Sequence, residues 1–322
     1  MITLEWVYVV AGLTFAAFGI LSLRDPENPK RLKNAAFWGV LAVSFLFGSY
    51  LGDLGNGLLV IVLVLLAGIG GLGQGKPPTT TPEERLASAQ QRGDRLFLPA
   101  LIIPVTALLG TLVLAKLEFG GAKLIDAKDP TLVALALGVV LALAVGAAWL
   151  RPPLLAPLQE GRRLMDAVGW AGVLPQMLAS LGAVFALAGV GEVIGRLISE
   201  YVPLDTRFLA VTTYCVGMAL FTIIMGNAFA AFPVITAAVG LPFVVQRYGG
   251  DPAIVCAIGM LAGFCGTLCT PMAANFNVVP ANLLELPDRN SPLNGVIRAQ
   301  IPTAVPLLVA NILLMYFLAF RF

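Results

Sequence analysis

A chain of 322 residues that is 58% hydrophobic and only 12% charged, with a mean hydropathy of +0.90, cannot cover a globular surface with solvated side chains and reads as an integral membrane protein. A formal net charge of +2 carries no nucleic-acid signal, and with no histidine in the chain the cysteines lack the commonest partner for a metal site. Cys215, Cys256, Cys265 and Cys269 all stand in apolar stretches and read as small core residues rather than as a disulfide framework.

In chain order, "MITLEWVYVVAGLTFAAFGILSLRD" has no basic leading region and no small-residue cleavage pattern, so it reads as a retained first span. About 20 apolar residues are needed to cross a bilayer, which marks 2–22, 35–51, 56–72, 97–117 and 131–150. The second and third are short and are expected to pair as a tight hairpin through "GDLGNG", whose glycines and Asn56 suit a turn. In the fourth, Pro99 and Pro104 predict a bend. Basic residues follow the first, third and fifth spans: Arg24, Lys30, Arg31 and Lys33, then Lys76, Arg85, Arg92 and Arg95, then Arg151, Arg162 and Arg163. The alternate loops at 52–55 and 118–130 hold only Lys123 and Lys128. An N-terminus outside and cytoplasmic loops at 23–34, 73–96 and 151–163 follow. Within the second of these loops, Thr81 and Glu84 have the spacing of a helix cap.

The texture changes after residue 164, dividing the chain into simple spans and loops over 1–163 and a half with interrupted membrane helices over 164–322. "GVLPQMLASLGAVFALAGVGEVIGRLISEYVP" carries Pro175, Gln176, Gly182, Gly189 and Gly191; "FTIIMGNAFAAFPVITAAVGLPFVV" is interrupted at Gly226-Asn227 and again at Pro233; "GTLCTPMAANFNVVP" has two prolines, Asn275 and Asn277. The expected fold is an all-α polytopic membrane protein of about 9–10 segments, with broken helices or re-entrant hairpins in its C-terminal half. Unpaired backbone in hydrocarbon costs several kcal/mol, so such breaks survive only against protein or a water-filled cavity. There, a half-helix N-terminus offers N–H groups to an anion and exposed carbonyls can ligate a cation. A Pro-kinked or Gly-packed helix is the plainer reading of each break taken alone.

"LASLGAVFALAGVGEVIGRLI" followed by "MGNAFAAFPVITAAVG" resembles the C-terminal half of the ion transporter superfamily, whose members hold substrate between re-entrant hairpins and unwound helices. From "WVYVVAGLTFAAFGILSLRDPENPKRLKNAAFWG" through "SFLFGSYLGDLGNG" to "GTLCTPMAANFNVVPANLLEL", the chain is similar to a bacterial membrane family of formerly unknown function. That family is described as one subunit of a two-component 5-oxoproline (pyroglutamate) transporter, with a second, smaller membrane subunit as partner. The resemblance implies an inner-membrane location, a small organic anion as substrate and Gly226-Asn227 as a helix break. For a monoanion bearing a lactam, half-helix N-termini at Asn227 and Pro271 would meet the carboxylate, and Thr270, Asn275 or Asn277 the ring amide. A coupling Na⁺ would use carbonyls near Gly226 and Gly266 with Thr267.

A coupling H⁺ would need a titratable group inside a span, and none is evident in the sequence. Glu192 and Arg196 read as an interfacial i,i+4 pair, and Asp166 and Asp53 as interfacial. Na⁺ is therefore preferred to H⁺. No other cofactor is expected. An intramembrane enzyme would need a nucleophile with its base, paired aspartates or a metal cluster, and "LGD" at 51–53 has no matching Asp in another apolar span. A non-transporting scaffold subunit, its glycines such as those of "GIGGLGQG" packing against a partner helix, is the alternative. Because the breaks cluster in one half, the rest of a substrate site is expected from the partner subunit or from a second copy of the chain. A complete, enclosed two-repeat site within one monomer would sink that expectation.

Overall fold

The structure is a computed structural model that describes residues 2–75, 80–119, 122, 123, 125, 126, 128–284 and 291–320. The chain divides into two compact units, Met1–Gly169 and Trp170–Phe322. The first contains α1 (Leu4–Leu23), α2 (Arg31–Gly68), α3 (Pro82–Arg92), α4 (Phe97–Leu112), a two-stranded ribbon of β1 (Glu118–Phe119) and β2 (Ala122–Lys123), α5 (Pro130–Leu150) and α6 (Ala156–Val168). The second contains α7 (Leu174–Leu187), α8 (Val190–Tyr201), α9 (Arg207–Met225), α10 (Ala228–Ile235), α11 (Pro252–Thr267), α12 (Val279–Leu283) and α13 (Pro292–Leu318). Among the described residues seven helices are long and apolar enough to cross a membrane, and the protein is a multi-pass, all-helical membrane protein apart from the short ribbon.

Helix α2 has 38 residues and would be roughly 57 Å long if straight. Its ends nevertheless meet: Asn34 Nδ2 donates to the Gly73 carbonyl at 2.7 Å, and the Lys30 and Lys33 ammonium groups donate to the carbonyls of Gly70 and Ile69. Five residues beyond Gly68 cannot bridge such a length, so the helix is folded back on itself. The reversal is at Gly52, whose φ of 64° and ψ of −179° suit only glycine, and Asn56 Nδ2 occupies the freed carbonyls of Gly48 and Gly52 at 2.9 and 3.0 Å. The two short spans expected here are the arms of that hairpin. A shorter turn than the whole "GDLGNG" stretch suffices, because helical bonding resumes at once.

The first unit has two distinct ends. At one, Ile2 pairs with Ile125, Asp126 N donates to the Ile2 carbonyl at 3.1 Å, and Ser49 Oγ donates to Glu5 Oε1 at 2.8 Å. At the other, the segment after α1, the segment 69–75 and α6 come together. The loops rich in Lys and Arg thus share an end, and the poor ones share the opposite end. Before α3, Thr81 Oγ1 accepts from Glu84 N while Glu84 Oε2 accepts from Thr81 N, the expected capping box.

In the second unit, the α7 segment from Ser180 to Leu187 and helix α8 meet at a 66° bend, with Gly189 left-handed at φ 69°. The space for a Cβ on Gly217 opens onto Ile235 at 3.5 Å, and Tyr214 and Thr236 share a hydroxyl hydrogen bond of 2.8 Å. Helix α10 therefore returns antiparallel along α9. It continues as a π-helix over Thr236–Arg247. The interruption expected at Pro233 does not occur: Pro233 sits inside α10, and the helix continues past it with the hydrogen-bond pattern widened to i→i+5 from Thr236, a rare arrangement. Gly259 faces Tyr214, Gly263 faces Met218 and Thr222, and Gly266 faces Ala219, so α11 runs parallel to α9. Nothing larger than glycine fits at Gly266, where the Ala219 carbonyl closes the space. Tyr214, Cys215, Met218, Val239, Val255 and Met315 fill the core of this unit. The pair expected between Glu192 and Arg196 is not formed among the described residues; both side chains are exposed, where holding two long rotamers together gains little.

Candidate functional site

Because α9 and α11 are parallel, they end together, and the two polar stretches singled out in the sequence converge there. Helix α9 stops at Gly226, left-handed at φ 77°, and Asn227 caps α10 by accepting Phe229 N at 2.7 Å. Of the alternatives left open by the sequence, Gly226-Asn227 is thus the tip of a helical hairpin whose arms are each long enough to span. Helix α11 stops at Thr267, residues 268–273 are non-helical, and a π-turn over Ala274–Val278 leads into α12. The half-helix expected to begin at Pro271 begins at Ala274 instead.

The contact between tip and break is close. A Cβ on Gly226 would come within 2.6 Å of Met272 Cβ and 2.7 Å of the Met272 carbonyl, and Thr270 Oγ1 donates to the Ile223 carbonyl at 2.8 Å. Asn277, wholly buried, donates through Nδ2 to the carbonyls of Thr267 at 2.9 Å and Thr270 at 2.6 Å. Two carbonyls on one side of the amide fix its orientation and turn Oδ1 away from them. Among the described residues that buried Oδ1 has no hydrogen-bond partner, and neither has the buried Thr222 Oγ1 one turn before Gly226. Such atoms are uncommon in native cores and each calls for a physical explanation, a bound water or ion being one.

The structure therefore brings together Gly226, Asn227, Thr267, Thr270 and Asn277 with Gly266 at their base. Asn275 and Pro271 are exposed on the outer side of the break, and no described hydrogen bond holds the Asn275 amide. Several expected ligands are already engaged: Gly266 O accepts Cys269 N at 3.0 Å, Thr267 Oγ1 donates to Phe264 O at 2.6 Å, and Asn227 Oδ1 is the helix cap. Sequence reasoning missed Thr222, which its position four residues before Gly226 could have flagged. It also missed Gln300 on α13, which donates to the Phe276 carbonyl at 3.2 Å, and the edge-on rings of Phe229 and Phe264, whose centroids are 5.9 Å apart with Phe276 beyond.

A second buried polar cluster lies in the first unit. Arg162 Nη2 pairs with Asp25 Oδ2 at 2.9 Å, and Arg162 Nη1 donates to the Leu21 carbonyl at 2.9 Å. Asp166, expected at an interface, is at the end of α6 but only 7% exposed, with Oδ1 accepting Trp38 Nε1 at 2.8 Å and Asn34 Nδ2 at 3.0 Å. Asn34 also accepts Gly73 N at 2.9 Å, so the segment after α2 is tied to α6 through one amide.

Residues 5–320 match the family described as "Protein of unknown function (DUF979)", and the chain belongs to that family. No curated protein and no solved structure matches the chain.

Proposed function

We propose that this DUF979 chain is one subunit of a secondary active transporter for a small organic anion, 5-oxoproline being the substrate its sequence resemblance favours. The observation that carries the reading is the meeting of the α9–α10 tip with the α11–α12 break through the Thr270–Ile223 hydrogen bond, each side holding one buried oxygen without a partner among the described residues, Thr222 Oγ1 on α9 and Asn277 Oδ1 in the break. Acceptors without donors suit a cation, so a coupling Na⁺ is placed there, beside Gly226, Gly266 and Thr267. The anion is placed on the exposed side of the break, where the Asn275 amide and the N-terminus of α10 at Asn227 offer N–H groups beside Pro271, with Thr270 and Asn277 behind them. The chain sits in the bacterial inner membrane with its N-terminus outside, which puts the Lys- and Arg-rich end of the first unit in the cytoplasm. A second, smaller membrane subunit, or a second copy of the chain, completes the site. The chain acts as a carrier and not as an enzyme.

The test is uptake of labelled 5-oxoproline into proteoliposomes holding this chain, the partner subunit, or both, with and without a Na⁺ gradient. Uptake that requires both chains and the gradient, and that disappears in an assembled Asn275→Ala variant, is the expected result. Absence of uptake in every arm despite assembled protein rejects this substrate.

One observation favours a scaffold role instead: Asn227, Thr267, Thr270 and the Asn277 nitrogen are all bonded to the chain's own backbone. On that reading, substitutions at the tip lower assembly and leave the transport of assembled complexes intact.

A further inference from the structure

We propose that Asp166 is a proton-binding group of this chain, its Oδ2 taking up the proton while Oδ1 remains bound to Asn34 and Trp38. Among the described residues three ionisable groups are buried together at this end of the first unit, Asp25, Arg162 and Asp166. Arg162 is committed to Asp25, so Asp166 is the surplus negative charge, and its hydrogen-bond donors, an amide and an indole, are both neutral.

Among the described residues no cation but Arg162 acts on it. On its own helix, Arg163 is engaged by Glu160 at 2.5 Å. From α2, the Lys30 and Lys33 ammonium groups are spent on the carbonyls of Gly70 and Ile69, and the segment 69–75 contributes only backbone through Gly73. A buried carboxylate in such surroundings is costly to keep ionised. Burial is the largest influence and pushes the Asp166 carboxyl up. The Trp38 bond, the Arg162 charge and the Asn34 bond oppose it more weakly, and the Asp25 charge adds to the rise.

The geometry also says where the proton goes. Oδ1 accepts both described hydrogen bonds and keeps them as the carbonyl oxygen of a neutral acid, whereas Oδ2 accepts none among the described residues. Uptake therefore neutralises the cluster without dismantling the link from α6 through Asn34 to Gly73. This inference does not rest on the transport reading. It does supply a titratable carboxyl to a chain whose residues 206–250 and 252–284, around the helix breaks, contain no Asp or Glu.

The sign of the pH effect follows. A carboxyl that is harder to ionise when folded contributes stability that is complete below the ordinary aspartate range and is lost as pH rises through the raised value. The experiment uses the full chain in lipid nanodiscs with ¹⁵N-labelled indole, the Trp38 resonance being assigned with Trp38→Phe. The Trp38 N–H signal is expected to titrate with a midpoint above the ordinary aspartate value of about 3.9. It should stand still in Asp166→Asn, and that variant, permanently neutral, should melt no lower than the natural protein at pH 8. A Trp38 midpoint at or below the ordinary value overturns the proposal, and this reading needs no variant of Asp166 to fold. So does an Asp166→Asn variant that melts lower at pH 8, which would make the carboxylate a structural anion.

Discussion

In the first unit three of the buried polar groups carry full charges, Asp25, Arg162 and Asp166, beside the neutral Ser22, Asn28 and Asn34, and they gather where helices end. At the helix tip and break of the second unit the buried polar groups Thr222, Asn227, Thr267, Thr270 and Asn277 are all neutral. The difference reflects what each setting can repay. A buried ion needs a counter-ion with good geometry, and Arg162 and Asp25 provide it over one short contact. Freed backbone carbonyls between apolar helices need only donors, and an amide or hydroxyl provides those without the desolvation cost of a charge. The first arrangement can change its charge by one proton at Asp166, whereas the second holds no charge to change.

Breaking the ion pair gives the largest expected effect. Arg162→Met strands Asp25 in an apolar site and should cost about 3–5 kcal/mol, read as loss of thermal stability in detergent. Adding Asp25→Asn should recover much of it, and a failure to recover would mean that Arg162 matters chiefly through its bond to Leu21. In the second unit, Gly226→Ala combines a left-handed backbone with the Met272 contact and should cost about 2–3 kcal/mol by the same measurement. Asn277→Ala frees the carbonyls of Thr267 and Thr270 together and should cost about 2 kcal/mol. If Asn277→Ala were as harmful as Arg162→Met, the contrast between charged and neutral solutions would collapse. The smallest effect on stability is expected from the exposed Asn275→Ala, less than about 0.5 kcal/mol, and its effect on uptake separates the carrier from the scaffold.

Much of this contrast was legible in the sequence because it is local. Twenty apolar residues make α1, Thr81 and Glu84 cap α3, and a glycine followed by an asparagine marks the tip after α9. What was not legible depends on distance along the chain. Arg162 meets Asp25 across 137 residues, and Asp166 meets Trp38 across 128, with nothing near either partner to announce the other. Asp166 therefore looks like an ordinary boundary carboxylate. The π-helical stretch was invisible for another reason: widening a hydrogen-bond ladder by one residue leaves no composition behind, and Pro233 and Pro242 suggest interruption where the rod in fact continues. At the candidate site, residue types singled out the two segments. Only the parallel course of α9 and α11 shows that they end at one place.

The fold of α2 at Gly52 also bears on how the chain enters its membrane. Between Asn34 and Gly75 the only charged residue is Asp53, beside the reversal. With the N-terminus outside, as proposed, the two arms would pair and partition into lipid together as one unit, carrying a single acidic group across and no extended loop. In that orientation Lys30 and Lys33, retained on the cytoplasmic side, would meet the emerging carbonyls of Ile69 and Gly70 and lock the inserted hairpin from the side it came from.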